Sequence, residues 1–218
     1  MSVYEAARAN MIESQIRPNK VTDERVIGAF ERIRREVFVP EHLRGVAYID
    51  EDLPLGGGRY LMEPMVAARL LQVAAVAPKE IALVVGAGVG YEAALLSALG
   101  RLVVALEDNA ELARIGRAAM VEHRIASVHF VEEPLQQGHR ARSPYDIILF
   151  GGAVAEIPDE ISNQLGEGGR MLAVIRGEAG MGRATLTTRT GGVLAHRVIF
   201  DAATPLLPGF RPKPAFVF

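Results

Sequence analysis

From residue 65 to residue 175, short apolar runs alternate with segments whose apolar residues recur every three or four positions. The runs are IALVV (81–85), LVVALE (102–107), VHFVE (128–132), YDIILFGGA (145–153) and GGRMLAVI (168–175). The helical segments cover 65–76, the residues after Gly90, 110–122 and 158–165. Strands that are apolar on both sides belong to parallel sheets covered by helices on each face, so the pattern predicts a doubly wound, mostly parallel α/β sheet. Two helical segments precede it, at 3–16 and 22–35; in the second, Val26, Ala29, Phe30 and Ile33 form one apolar stripe and Thr22 is the expected N-cap. Beyond 175, two β-rich runs around Gly191-Gly192 predict an antiparallel hairpin, and the proline-rich, apolar end of the chain is expected to pack on the body. The whole reads as one domain with three parts: a helical and loop preface (1–64), an α/β core (65–175) and a hairpin with a tail (176–218).

The preface ends in an irregular stretch, Glu36 to Pro64, with glycines at 56, 57 and 58 and prolines at 40, 54 and 64. A loop this long without elements of its own is usually functional, and its apolar residues argue against disorder. Composition narrows the field. The 218 residues are 50% hydrophobic and 23% charged, as in a globular domain, and 24 basic against 26 acidic residues leave a net charge of −2. That balance offers no general attraction for nucleic acid or an anionic membrane, and the basic clusters ERIRRE (31–36) and HRARSP (139–144) read as solvated surface. Cysteine is absent, which removes disulfides and thiolate chemistry. The five histidines lack metal-ligand spacing, and neither a nucleophile elbow nor a phosphate loop occurs, so no metal site, hydrolase or kinase is expected. The charged N-terminal segment and the lack of any run of about 20 apolar residues point to a cytoplasmic protein without a membrane span. No feature of the sequence specifies an oligomeric state.

The candidate chemistry lies in LVVGAGVGYEA (83–93). Gly86, Gly88 and Gly90 follow a buried strand and open a helix, a setting in which glycines allow a tight turn and a close approach of backbone to ligand. Glu107 ends the next strand, where a carboxylate can accept both hydroxyls of a ribose. The G-x-G-x-G spacing is shorter than the dinucleotide fingerprint and suits a ligand without a pyrophosphate, S-adenosylmethionine being the candidate. The competing account is a plain strand-to-helix turn beside a solvated glutamate.

VTDERVIGAF (21–30), FVP (38–40), AY (47–48) and DLPLG (52–56), followed by GAGVGYEAALLS (86–97), ALE (105–107) and YDIILFGGAVAEIPDEISNQLGEGGRMLAVI (145–175), stand in the order and spacing of protein-L-isoaspartate O-methyltransferases. The chain resembles that family from about residue 11 to about residue 190. The resemblance implies a class I methyltransferase, Rossmann-like fold, S-adenosylmethionine as methyl donor, and methylation of isoaspartyl carboxylates in damaged proteins or peptides, a repair reaction. It puts Val85, Gly86, Ala87, Gly88 and Gly90 at the methionine end of the cofactor, Glu107 and Asp108 at the ribose, and Glu133 and Pro134 at the adenine. The segment from Asp52 to Pro64 falls over the acceptor, with Leu53, Pro54, Leu55, Gly56 and Tyr60 as substrate contacts.

Three positions depart from the family pattern. The family usually has an acid where Val84 stands. Its Gly-Asp-Gly turn after the third strand is here VEEPLQQG (131–138), so Glu133 stands in for the aspartate and Pro134 removes a backbone donor. Its Thr-x-Ser-x-Pro becomes YLMEP (60–64), which puts Tyr60 and Met62 at the threonine and serine positions, and methionine cannot donate a hydrogen bond. A carboxylate is already ionised at neutral pH and needs no general base, so losing that donor costs on the order of 10²-fold rather than all turnover. Arg59 is the expected replacement for steering the acceptor carboxylate. The departures leave two alternatives: a methyltransferase with a different acceptor, or a non-catalytic relative that keeps the fold.

Overall fold

The computed structural model describes residues 2–177 and 180–211. Helix α1 (Val3–Met11) opens with a reciprocal cap between Ser2 and Glu5 and runs into a wide turn over Ile12–Ile16 and a tight one over Arg17–Asn19, which ends at Lys20 in the left-handed region. Helix α2 (Glu24–Arg32) is capped by Asp23, whose carboxylate accepts from the Arg25 amide at 2.8 Å. The expected cap, Thr22, lies one residue too early because the Thr22 and Asp23 amides are both held by the Gln72 side chain, at 2.6 and 3.0 Å.

The stretch from 36 to 64 carries more structure than its composition promises. Beyond two short helical turns it forms an antiparallel hairpin of β1 (Leu53–Gly56) and β2 (Arg59–Leu61), joined through Gly57 and Gly58 at φ 59° and 74°. Alternate positions face opposite ways: Leu53, Leu55, Arg59 and Leu61 point inward, while Pro54, Gly56 and Tyr60 face out.

Helix α3 (Pro64–Ala74) leads into β3 (Ile81–Val85), α4 (Tyr91–Ser97), β4 (Leu102–Leu106), α5 (Ala110–Glu122), β5 (Val128–Val131), β6 (Tyr145–Val154), α6 (Asp159–Ser162), β7 (Leu165–Ile175), β8 (Gly182–Thr190) and β9 (Val193–Ala202). Among the described residues these strands form one seven-stranded sheet in the order β5-β4-β3-β6-β7-β8-β9. β3 to β7 are parallel; β8 and β9 add antiparallel at the edge, turning through Gly191 and Gly192 at positive φ as the expected hairpin does. The helix expected over 158–165 is a single turn, because β7 already starts at Leu165. Ala82 and Val84 of β3 pack into a core shared with the N-terminal helices, whereas Leu83 and Val85 face a second core that includes Leu207 and Phe210. The tail as far as Arg211 lies on the body; the rest of the expected apolar end falls outside the described residues. No helix among them is long and apolar enough to cross a membrane.

Strand order reverses at β3 and β6, and in such folds the crevice beyond the carboxyl ends of those strands is where ligands bind. There the two backbones touch: a Cβ added to Gly151 would stand 2.2 Å from the Gly86 carbonyl oxygen. Gly151→Ala should therefore destabilise the protein by about 1–3 kcal/mol, read as a lower urea midpoint. An unchanged midpoint would mean that the turn and β6 can part without loss.

Candidate active site

The turn after β3 is locked to the neighbouring strand. The Gly86 and Ala87 amides both donate to the Leu106 carbonyl, at 2.9 and 3.0 Å, and Gly86, Gly88 and Gly90 all have positive φ. Glu107, at the end of β4, is fully buried, and its carboxylate accepts from the Gly88 amide at 2.7 Å and the Asn109 amide at 2.9 Å. Burial pushes this carboxyl above the usual range, against the pull of Arg59 and of the two amides.

Arg59 is not where the sequence placed it. Instead of reaching toward an acceptor it is 3% exposed and turned inward, Nε donating to Glu107 Oε2 at 3.2 Å and Nη2 to Asp108 Oδ1 at 2.5 Å. Its position on the inward-facing side of β2 dictates this direction. The space over the glycines is also taken. A Cβ on Gly88 would lie 3.2 Å from Leu55 Cδ1, and one on Gly86 2.9 Å from both δ carbons of Leu207.

On the far side of Glu107 a cavity of about 310 Å³ opens between Asp108, Glu132, Glu133, Pro134 and Gln136. Glu133, the expected counterpart of the adenine aspartate, accepts at Oε2 from His139 Nδ1 at 2.9 Å. His139 is itself buried, so HRARSP is not wholly the solvated patch expected of it. A strand-end carboxylate, side-chain-free glycines and an adjoining cavity thus stand side by side at the carboxyl ends of β3 and β4.

Of the residues expected on the acceptor side, Tyr60 is exposed and Met62 is buried in the core at 1% exposure. Val84 is equally buried, a packing residue. The group that sequence reasoning missed is Arg35, assigned to a solvated basic cluster yet fully buried. Its Nε donates to the Ala47 carbonyl at 2.7 Å and its Nη2 to the Met62 carbonyl at 2.8 Å, and the guanidinium lies 5.0 Å from the Tyr91 ring centroid. Its place between Ile33 and the Val37-Phe38 pair was the available signal, since a long cation flanked by core residues must bring its charge to buried acceptors. Three acids share this region. Asp52 accepts from the Glu63 amide at 3.0 Å. Glu63 is pushed up to about 7, by burial first and then by Asp52 and Asp50, and Glu92 to about 7 by burial. Glu92 Oε1 and Arg35 Nη1 are buried without a hydrogen-bond partner.

Comparison with known proteins adds a second line. A family model for protein-L-isoaspartate(D-aspartate) O-methyltransferase matches residues 6–196. A protein-L-isoaspartate O-methyltransferase of Koribacter versatilis (strain Ellin345) is 38% identical over 165 residues, 76% of this chain and 74% of its own. One of Gloeobacter violaceus is 30% identical over 204 residues, 94% of this chain and 98% of its own. A solved structure of a protein-L-isoaspartate O-methyltransferase aligns with a TM-score of 0.80 at 26% identity, covering 93% of this chain and 66% of that one. A Plasmodium falciparum structure in complex with S-adenosyl-L-homocysteine shares the fold, with a TM-score of 0.79 at 17% identity over 95% of this chain and 99% of that one.

The buried Glu92 gives the fold a pH dependence of definite sign. Its folded value near 7 lies above the roughly 4.3 of an unfolded glutamate, so its contribution is complete below the unfolded value and is lost as pH rises through 7. Glu92→Gln should raise the unfolding free energy more at pH 8 than at pH 5, by about 2 kcal/mol in urea titrations. A gain equal at both pH values would place the proton elsewhere.

Proposed function

This chain belongs to the protein-L-isoaspartate(D-aspartate) O-methyltransferase family, and we propose that it methylates isoaspartyl carboxylates of peptides and damaged proteins with S-adenosylmethionine as donor. The observation that carries the reading is the locked pair of Glu107 and the glycine turn, in a chain whose residues 6–196 match the family. Bound there, S-adenosylmethionine would supply an electrophilic methyl group on a sulfonium. The remaining work falls to this chain's residues and is mostly placement, because a carboxylate of ordinary pKa is ionised at neutral pH and needs no base.

Glu107 is the carboxylate for the ribose hydroxyls, and Val85 to Gly90 form the floor beneath the methionine end. Asp108, Glu133 and Pro134 border the cavity assigned to the adenine. The acceptor meets the outward face of the hairpin, Pro54, Gly56 and Tyr60, which the buried Leu53 and Leu55 hold in register. Arg35 acts through backbone, fixing the Met62 carbonyl in a segment that no longer carries the family's serine. Met62 contributes packing rather than a hydrogen bond. The partner in this reading is an isoaspartyl chain and not nucleic acid, in keeping with the net charge of −2, and the cysteine-free composition suits a cytoplasmic setting.

An isoaspartyl peptide and its aspartyl counterpart, each incubated with methyl-labelled donor, separate the possibilities. Base-labile label should appear in the isoaspartyl peptide alone; equal labelling of the two, or labelling of neither, refutes the assignment.

A further inference from the structure

Two side chains of this protein stand in the cleft assigned to its cofactor, and they arrive from opposite sides. Arg59 comes from the hairpin. With its Nε and the Gly88 amide on Oε2 and the Asn109 amide on Oε1, three of the roughly four acceptor sites of the Glu107 carboxylate are taken, and the residue has no exposed surface to offer a ribose diol. Arg59 and the diol are both donors, so they compete for the same atoms. Leu207 comes from the tail. It fills the room that the missing side chains of Gly86 and Gly152 leave: Cβ atoms there would lie 2.9 and 2.7 Å from it. Hairpin and tail also meet each other, a Cβ on Gly58 lying 2.8 Å from Pro208 Cγ.

The tail is fastened along the end of β6 like an added strand. The Ala153 amide donates to the Pro205 carbonyl at 2.8 Å, the Leu207 amide to the Ala153 carbonyl at 2.8 Å, and the Ala155 amide to the Phe210 carbonyl at 2.9 Å. Its register with β6 is a single bridge, Ala153 with Leu206, and at its root Arg176 Nη1 holds the Ala203 and Thr204 carbonyls at 3.2 Å each. Thr204 Oγ1 and Arg176 Nε are buried there without partners. The strap is therefore held by few backbone hydrogen bonds beside unsatisfied groups, and its main anchors are the buried side chains of Leu207 and Phe210. The hairpin turn of the other arm carries three successive glycines at positive φ, a backbone that few other residues adopt.

We infer that the cleft is self-closed: Arg59 on Glu107 and Leu207 over Gly86 are an autoinhibitory contact that cofactor binding must displace. The inference rests on the reading of this cleft as the S-adenosylmethionine site. Its consequence is that binding is coupled to release of the hairpin and the tail, so the protein's affinity is set by how readily the two arms leave.

Calorimetric titration of the full chain with S-adenosyl-L-homocysteine tests it, together with amide exchange followed residue by residue. Arg59→Gln and Leu207→Ala, lying on different arms, should each bind at least about tenfold more tightly than the parent. In the parent, saturating ligand should speed exchange at the amides of Ala153, Ala155 and Leu207, whereas a tail that is only structural would be slowed or unmoved. Binding no tighter in either variant, no binding by any of the three proteins, or tail amides slowed by ligand overturns the inference. Should Arg59→Gln fail to fold, Leu207→Ala and the exchange data decide. Tighter binding with an inert isoaspartyl peptide would count against the proposed acceptor and leave the self-closed cleft standing.

Discussion

The buried carboxylate of Glu107 is the point at which otherwise separate parts of the chain are made to agree. It sits at the end of β4 and takes one donor from the turn after β3, one from the start of α5 and one from the hairpin that precedes the sheet in sequence. A buried carboxylate stripped of donors carries a penalty of several kcal/mol, so each of these elements is held where it can supply its hydrogen bond. The glycine turn is thereby fixed before any ligand arrives. The hairpin, a short unit from Leu53 to Leu61, is oriented by its buried leucines at 53, 55 and 61 together with this one guanidinium.

Arg35 plays the matching part at the other end of the hairpin. Arg59 grips the sheet through a charge, whereas Arg35 grips the Met62 and Ala47 carbonyls, and its charge acts on Asp52, Glu63 and Glu92 without a direct ion pair. Between them the segment 59–62 is held at both ends by buried cations, and its alternation fixes which residues face outward. Arg35 Nη1 and Glu92 Oε1 are buried without partners in this region. Burial favours the neutral acid and pushes Glu92 up to about 7, against the backbone hydrogen bonds and the Arg35 charge that pull it down.

The sheet could be read from the chain because buried parallel strands write themselves as apolar runs: the five predicted strands are the five parallel strands, and the hairpin turn at Gly191-Gly192 was marked by its glycines. The preface was legible only in part. Its hairpin has strands of four and three residues, too short for a period to show, and a gripping residue, Arg59, whose partner lies 48 positions away. Composition cannot distinguish an arginine that faces solvent from one that reaches a buried acid, and for the same reason Arg35 disappeared into a basic cluster. The glycine turn and Glu107 were visible as a pair because strand–turn–helix spacing is local. What covers them was not, since Leu207 comes from the opposite end of the chain.

A closed cleft is compatible with catalysis as long as closure is shallow. Apparent affinity falls by the fraction of molecules open, so a cleft open about one per cent of the time binds about a hundredfold more weakly, equivalent to about 2.7 kcal/mol. One buried ion pair and one leucine are of the right size to set such a gap. The ion pair repays most of its own desolvation and little more, and covering Leu207 contributes about 1.5–3 kcal/mol. A deeper closure would need a tail paired along its length rather than at one bridge. The contacts therefore suit a protein that keeps its own side chains where its ligand belongs and yields them to it, so that on this inference binding is limited first by the release of Arg59 and Leu207 and only then by the quality of the site they uncover.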